Sequence, residues 1–179
     1  SFLLLSLINM CTMWDRYSTA GVLRSIEEYY NINDATGGLL QTTFVIVYIL
    51  SSLILIYLGD RFNRRLLILI TGWIWLIFVS LSGFIPCNLF YVFLSLRSLA
   101  AIADATIIII APSIIADLYN GKARTYALTI FYMFISVGIS VGLVVGTFLT
   151  EMNTEWQWSV RCVPFLGVPV MILSTIFLK

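Results

Sequence analysis

The amino-acid sequence predicts an all-α integral membrane protein, a bundle of six membrane-crossing helices, on three observations. Its 179 residues are 60% hydrophobic and 11% charged, with a mean hydropathy of +1.00. That is more apolar surface than a water-soluble core of this size can hide. Apolar runs of about 20 residues, the length that crosses a bilayer as a helix, recur at 1–23, 37–58, 66–86, 89–118, 125–149 and 157–178. Between them the basic residues cluster in alternate connections, the pattern of a chain that crosses a membrane repeatedly.

The first run opens with "SFLLLSLINM" and meets its first charges, Asp15 and Arg16, in "CTMWDRY". The chain starts at Ser1 with no basic segment before the apolar residues, so it reads as a piece of a longer chain rather than a signal peptide. The following stretch "VLRSIEEYYNIND" is polar enough for a short surface helix, its acids serving solvation. Arg24 alone follows the first run; Arg61, Arg64 and Arg65 follow the second, and Lys122 and Arg124 follow the fourth. The third connection has no basic residue, the fifth holds only Glu151 and Glu155, and Lys179 ends the sixth run. Connections two and four, and hence both ends of the unit, are expected in the cytoplasm. The residues name no organelle, and plasma membrane and endolysosomal membrane both stay open.

In the fifth run Gly138, Gly142 and Gly146 recur every fourth residue, which lets another helix approach closely on that face. Pro112, Pro164 and Pro169 sit inside runs four and six, where freed backbone groups need partners within the bundle. Trp156 and Trp158 open the sixth run and suit an interfacial aromatic belt.

Several function classes drop out. A net charge of +1 with no basic stripe gives nucleic acid nothing to bind. Cys11, Cys87 and Cys162 have no metal-ligand spacing and there is no histidine, so neither a metal nor another cofactor is expected. An intramembrane aspartyl protease needs two acids on different helices, but "IADA" around Asp104 lacks the Gly-x-Gly-Asp context, and an enzyme is not expected.

The charges within the runs carry the functional signal. Arg97 and Asp104 are seven apart in the fourth run, on one side of a helix and roughly 10 Å apart along its axis. An unpaired charge near the bilayer centre costs about 3 kcal/mol or more, so Asp15, Arg16, Arg97 and Asp104 are expected to point into the bundle and neutralise one another or line water. Such residues mark substrate and proton pathways, with a structural ion-pair network as the rival reading. Burial and a nearby arginine pull a carboxyl's protonation in opposite directions, so a rearrangement can switch it. Gln41, Phe44 and Tyr48 share a face of the second run and, with Tyr132 of the fifth, are candidates for lining the same cavity.

The loop "GDRFNRR" resembles the signature between helices two and three of the major facilitator superfamily, G-x-L-x-D-[RK]-x-G-[RK]-[RK]. Leu58, Asp60, Arg61, Arg64 and Arg65 match it, while Ile56 and Asn63 stand in its glycine places. The fourth run resembles the family's R-x-x-x-G-x-G motif, with Arg97 retained and Ala101 and Ala103 as the small residues. With "NMCTMWDRYSTAGVL", "GLLQTTFVIVY", "IAPSIIADLY" and "RCVPFLGV", the chain resembles the N-terminal half of the family's Spinster branch over its whole length. Asp104 stands where that branch usually has glutamate. The resemblance implies one six-helix domain over 1–179, built as two inverted three-helix repeats, whose C-terminal partner half is absent. It implies alternating-access transport, proton-linked or facilitative, of lysolipid, sphingolipid-type or other small amphipathic substrates. Asp60, Arg61, Arg64 and Arg65 would form the cytoplasmic gate by latching onto the other half. The alternative is a half-length carrier that does not transport and acts by associating with other membrane proteins.

Overall fold

A computed structural model describes residues 2–151 and 155–177; Lys179 and the last residue of the sixth run lie outside them. Seven helices form among the described residues: α1 (Phe2–Gly21), α2 (Leu23–Tyr30), α3 (Asp34–Arg61), α4 (Arg64–Ser82), α5 (Phe90–Leu118), α6 (Gly121–Glu151) and α7 (Gln157–Phe177). The six long ones coincide with the six runs. Helices α3 to α7 are long and apolar enough to cross a membrane. Helix α1 is not among them, because Asn9, Asp15, Arg16 and their polar neighbours occupy its C-terminal two-thirds. Protein rather than lipid surrounds it: α5, α6 and α7 pack along it, and Asn9, Thr12, Asp15, Ser18 and Thr19 are buried.

The packing has the symmetry of an inverted repeat. Helix α1 lies along α6 and α7, as α5 lies along α3 and α4, while α1 meets α5 and α4 meets α7. Exchanging α1, α3 and α4 with α5, α6 and α7 maps this set of contacts onto itself. Helices α1 and α5 are therefore the central pair. Both central helices have closely approaching partners, but the small residues lie on different members of the two pairs. On α5 they are its own Ala100, Ala101, Ala103, Ala105 and Ala111, all buried. At α1 they belong to the partner. A side-chain carbon added at Gly142 would lie 2.7 Å from the Trp14 carbonyl oxygen, and one at Gly138 would lie 2.6 Å from that of Met10. The glycine stripe is thus a packing surface that lets α6 touch the backbone of α1.

Pro112, Pro164 and Pro169 lie inside continuous helices, α5 and α7, and end neither. The polar stretch after α1 does form a short helix, α2, which stops at Asn31 in the left-handed conformation, φ 51°. One face of α2 is buried through Ile26 and Tyr30, while Arg24 and Glu28 pair in solvent. Tyr30 packs against Phe90, Phe93 and Trp156, fastening α2 over the ends of α5 and α7. Trp156 therefore departs from the expected belt: it is buried in this cluster, and Trp158 alone stays exposed.

Replacing Gly142 by alanine is expected to force α6 away from α1, with about 1–3 kcal/mol of overpacking strain. Gly38, with nothing within 4 Å of an added carbon, is the control, and alanine there should be neutral or mildly stabilising. Thermal unfolding in detergent measures both; equal midpoints for the two variants would contradict the close α1–α6 contact.

Candidate substrate pathway

Asp15 and Arg16 are neighbours in sequence but point to different helices. Asp15 turns toward α5 and α4, where its Oδ1 accepts from Arg97 Nη1 at 2.7 Å and its Oδ2 from Trp75 Nε1 at 3.3 Å. Arg97 Nη2 donates to the Asp15 carbonyl oxygen and to Thr19 Oγ1. Both charged side chains are buried, 4% and 3% exposed. This is the ion pair with added hydrogen bonds that a buried charge requires. It ties α1, α4 and α5 together at their crossing.

Arg16 faces α3 instead. Its guanidinium lies 4.7 Å from the centre of the Phe44 ring, 5.9 Å from that of Tyr48 and 5.8 Å from that of Tyr17. Among the described residues no carboxylate lies within ion-pair distance of it, so the rings hold the cation through their faces. Gln41, Phe44, Thr19 and Arg97 line a cleft beside Arg16 that holds about 10 Å³, room for about one water. The cleft is too tight, in this state, for an organic molecule.

Asp104 is buried on α5, 2% exposed, and its Oδ2 has no hydrogen-bond partner among the described residues. The expectation that two acids and two bases neutralise one another thus holds for one pair. Asp15 and Arg97 pair; Arg16 and Asp104 form no ion pair among the described residues, although they lie close enough to feel each other's charge. Of the expected lining, Gln41, Phe44 and Tyr48 gather around Arg16. Tyr132 does not, because α6 packs on another side of α1; its ring is half exposed and lies edge-on to Phe131.

At the other end of α3, Arg64 is the centre of the "GDRFNRR" turn. It forms an ion pair with Asp117 at 2.8 Å and bonds Ser113 Oγ at 2.6 Å, both on α5, and the Gly59 carbonyl at 3.2 Å. Asp60 approaches it at 3.8 Å. Arg61 lies over Tyr57, one turn back on its own helix. Asn63 Oδ1 caps α4 by accepting from Arg65 N, and its φ of −64° needs no glycine. Arg64 is thus held within this unit rather than reaching beyond it, and Asp60, Arg61 and Arg65 stay exposed.

Sequence reasoning missed Trp75, Thr19, Ser113, Asp117 and Arg161. An acid ending the fourth run beside two basic connections was a readable signal for Asp117, and an arginine inside an apolar run was one for Arg161. Nothing local marked Trp75 as a donor to Asp15.

Comparison with known proteins agrees with this fold. The Major Facilitator Superfamily matches residues 5–179. Protein spinster homolog 1 of Homo sapiens is 38% identical over 166 residues, which cover 93% of this chain and 31% of that protein. Sphingosine-1-phosphate transporter SPNS2 of Xenopus tropicalis is 36% identical over 174 residues, 97% of this chain and 34% of that protein. The crystal structure of a bacterial homolog to the human lysosomal transporter Spinster, inward-facing and occupied, superposes with a TM-score of 0.86 at 25% identity, covering 99% of this chain and 43% of that one. The chain spans about a third of the length of these curated relatives. A helical unit with a polar centre on its two middle helices, matched nearly end to end by these relatives, belongs to the major facilitator superfamily, in its Spinster-like branch.

Proposed function

We propose that this chain supplies one half of the substrate pathway of an alternating-access carrier for small amphipathic molecules with an anionic headgroup, of the lysolipid or sphingoid type. The observation that carries the reading is Arg16. It is a cation in a membrane helix that lies over ring faces, with no carboxylate within ion-pair distance among the described residues, at the edge of a cleft. A lipid phosphate is a stronger partner for a guanidinium than an aromatic face, so a headgroup can draw Arg16 off Phe44 and Tyr48. The relative named as a sphingosine-1-phosphate transporter carries such a phosphate. The buried Asp15–Arg97 pair keeps the central helices in register while Arg16 moves.

Asp104 supplies a protonatable group beside the same centre, which suits a proton-linked cycle. A facilitative carrier would use it only to shape the cavity. The pathway lies between two halves in carriers of this kind, so a second six-helix unit is the partner, packed on the side where Arg16 and α3 open. In this arrangement the bundle end bearing Arg61, Arg64, Arg65, Lys122 and Arg124 is cytoplasmic, together with both ends of the unit. The exposed Asp60, Arg61 and Arg65 then meet the partner half as the gate, while Arg64 anchors their turn to α5.

Orientation has a native reporter, because Cys87 is exposed in the connection between α4 and α5, at the end opposite the arginines. In sealed vesicles with the cytoplasmic face inward, an impermeant maleimide should label Cys87. Asn63→Cys in a Cys87→Ser background should label only after permeabilisation; the reverse pattern would invert the topology.

Transport is tested in liposomes with this chain joined to its second half. Arg16→Gln should lower lysophospholipid uptake by about tenfold or more, the loss of a charge-assisted contact, with little change in thermal midpoint. Asp104→Asn should fold and, in a proton-linked carrier, lose the pH dependence of uptake. Undiminished uptake by Arg16→Gln contradicts the headgroup role. Absence of uptake by the joined protein, with other membrane proteins captured by it instead, favours the non-transporting half-carrier.

A further inference from the structure

Away from the cleft at Arg16, helices α4 and α7 form a layer of their own against the central pair. Between them runs a groove of about 540 Å³ whose walls include Phe84, Trp158, Arg161, Pro164, Phe165 and Val168. That volume is within the range of small-molecule sites. Its stem is apolar and open: Phe84 is 71% exposed and Phe165 73%. One cation closes its upper end. Arg161 Nε donates to the Gly83 carbonyl at 2.9 Å and Nη2 to Gln157 Oε1 at 3.2 Å. These bonds fix the guanidinium plane, with the Phe84 and Trp158 rings 4.8 and 5.7 Å from it. Nη1 has no hydrogen-bond partner among the described residues; its nearest carboxylate, Glu155, is 4.0 Å away and largely exposed.

We propose that this groove is a binding site for an anionic bilayer phospholipid, with the headgroup phosphate on Arg161 and one acyl chain along the stem. The arrangement matches that molecule in two respects. Arg161 lies one turn into α7, at the helix end, where headgroups sit. From there to Pro169 the groove descends about 12 Å along the helix, alongside the hydrocarbon of the bilayer. A fixed guanidinium with free N–H groups favours a phosphate, whose oxygens it can grip through two bonds. The site does not depend on transport, because it faces away from Arg16, Gln41 and Phe44. Glu155 opposes an anion from one side, so its removal should tighten the site.

Native mass spectrometry of the detergent-extracted chain, exchanged against phosphatidylglycerol, phosphatidylcholine or inorganic phosphate alone, tests this. Both lipids carry the phosphate, but the choline cation of phosphatidylcholine offsets its charge, so phosphatidylglycerol should be retained by about tenfold or more, and inorganic phosphate alone should not be retained. Glu155→Gln should raise phosphatidylglycerol retention. Arg161→Gln should abolish the preference between the lipids. Because Arg161 also braces Gly83, that variant is read beside Val168→Trp, which fills the stem and leaves those bonds alone. Val168→Trp should lose the lipid at an unchanged thermal midpoint. Equal retention of both lipids by the wild type, full retention by Val168→Trp, or a dimer of this chain in place of the lipid would overturn the proposal.

Discussion

The contact between Asp15 and Arg97 is the constraint on which the rest of this unit depends. Two charges buried in the middle of a membrane bundle are tolerable only when paired and hydrogen-bonded on their remaining sides. Here Trp75, Thr19 and the backbone of α1 provide those bonds. Three helices are committed by one pair, since Asp15 belongs to α1, Arg97 to α5 and Trp75 to α4. The same commitment sets what is left over. Arg16 follows Asp15 by one residue, so when Asp15 turns to α5 the helix carries Arg16 toward α3. Asp104 lies two turns beyond Arg97, where it forms no ion pair with either partner among the described residues. A structural ion pair therefore coexists at one crossing with two charges that form no ion pair among the described residues.

Burying that pair requires burying α1, and this accounts for much of the remaining sequence. A helix with Asn9, Asp15, Arg16 and several hydroxyl groups cannot face lipid, so apolar neighbours must enclose it. Gly138, Gly142 and Gly146 permit this by letting α6 touch the α1 backbone. The buried alanines of α5 keep that central helix slim among its own neighbours. The result is two central helices that carry the buried charges, sheathed by four others and related by exchange of three-helix halves. At the basic end, Arg64 pins the α3–α4 turn to α5 through Asp117 and Ser113. The sheath is thus fastened to the centre at a second level, about 24–30 Å along α5 from Arg97 by helix rise.

Much of this was legible because membrane helices leave long apolar runs and charges within them are rare. The six long helices, the glycine contact and the four central charges could all be read from the string. The pairing could not. Asp15 and Arg16 are equivalent by hydropathy, and only the three-dimensional course of α5 decides which one meets Arg97. Tyr132 lies away from Arg16 for a related reason: helical spacing says which residues share a face but not which helix that face meets. Trp156 was read as a belt residue because position within a run gives depth, whereas its burial depends on α2 folding back over the bundle end. Arg161 was hidden among motif residues, though the physical rule that flagged Arg97 applies to it equally.

The central claim, that Asp15 and Arg97 form the structural pair while Arg16 stands free, is tested most directly by a double-mutant cycle in thermal stability. Asp15→Asn and Arg97→Gln should each cost about 3 kcal/mol or more, since each leaves an opposite charge buried and uncompensated. The double variant should recover part of that loss, giving a coupling of about 1–3 kcal/mol. The parallel cycle of Asp15→Asn with Arg16→Gln should show much weaker coupling. Additive losses for Asp15 and Arg97, or stronger coupling of Asp15 to Arg16 than to Arg97, would contradict the account.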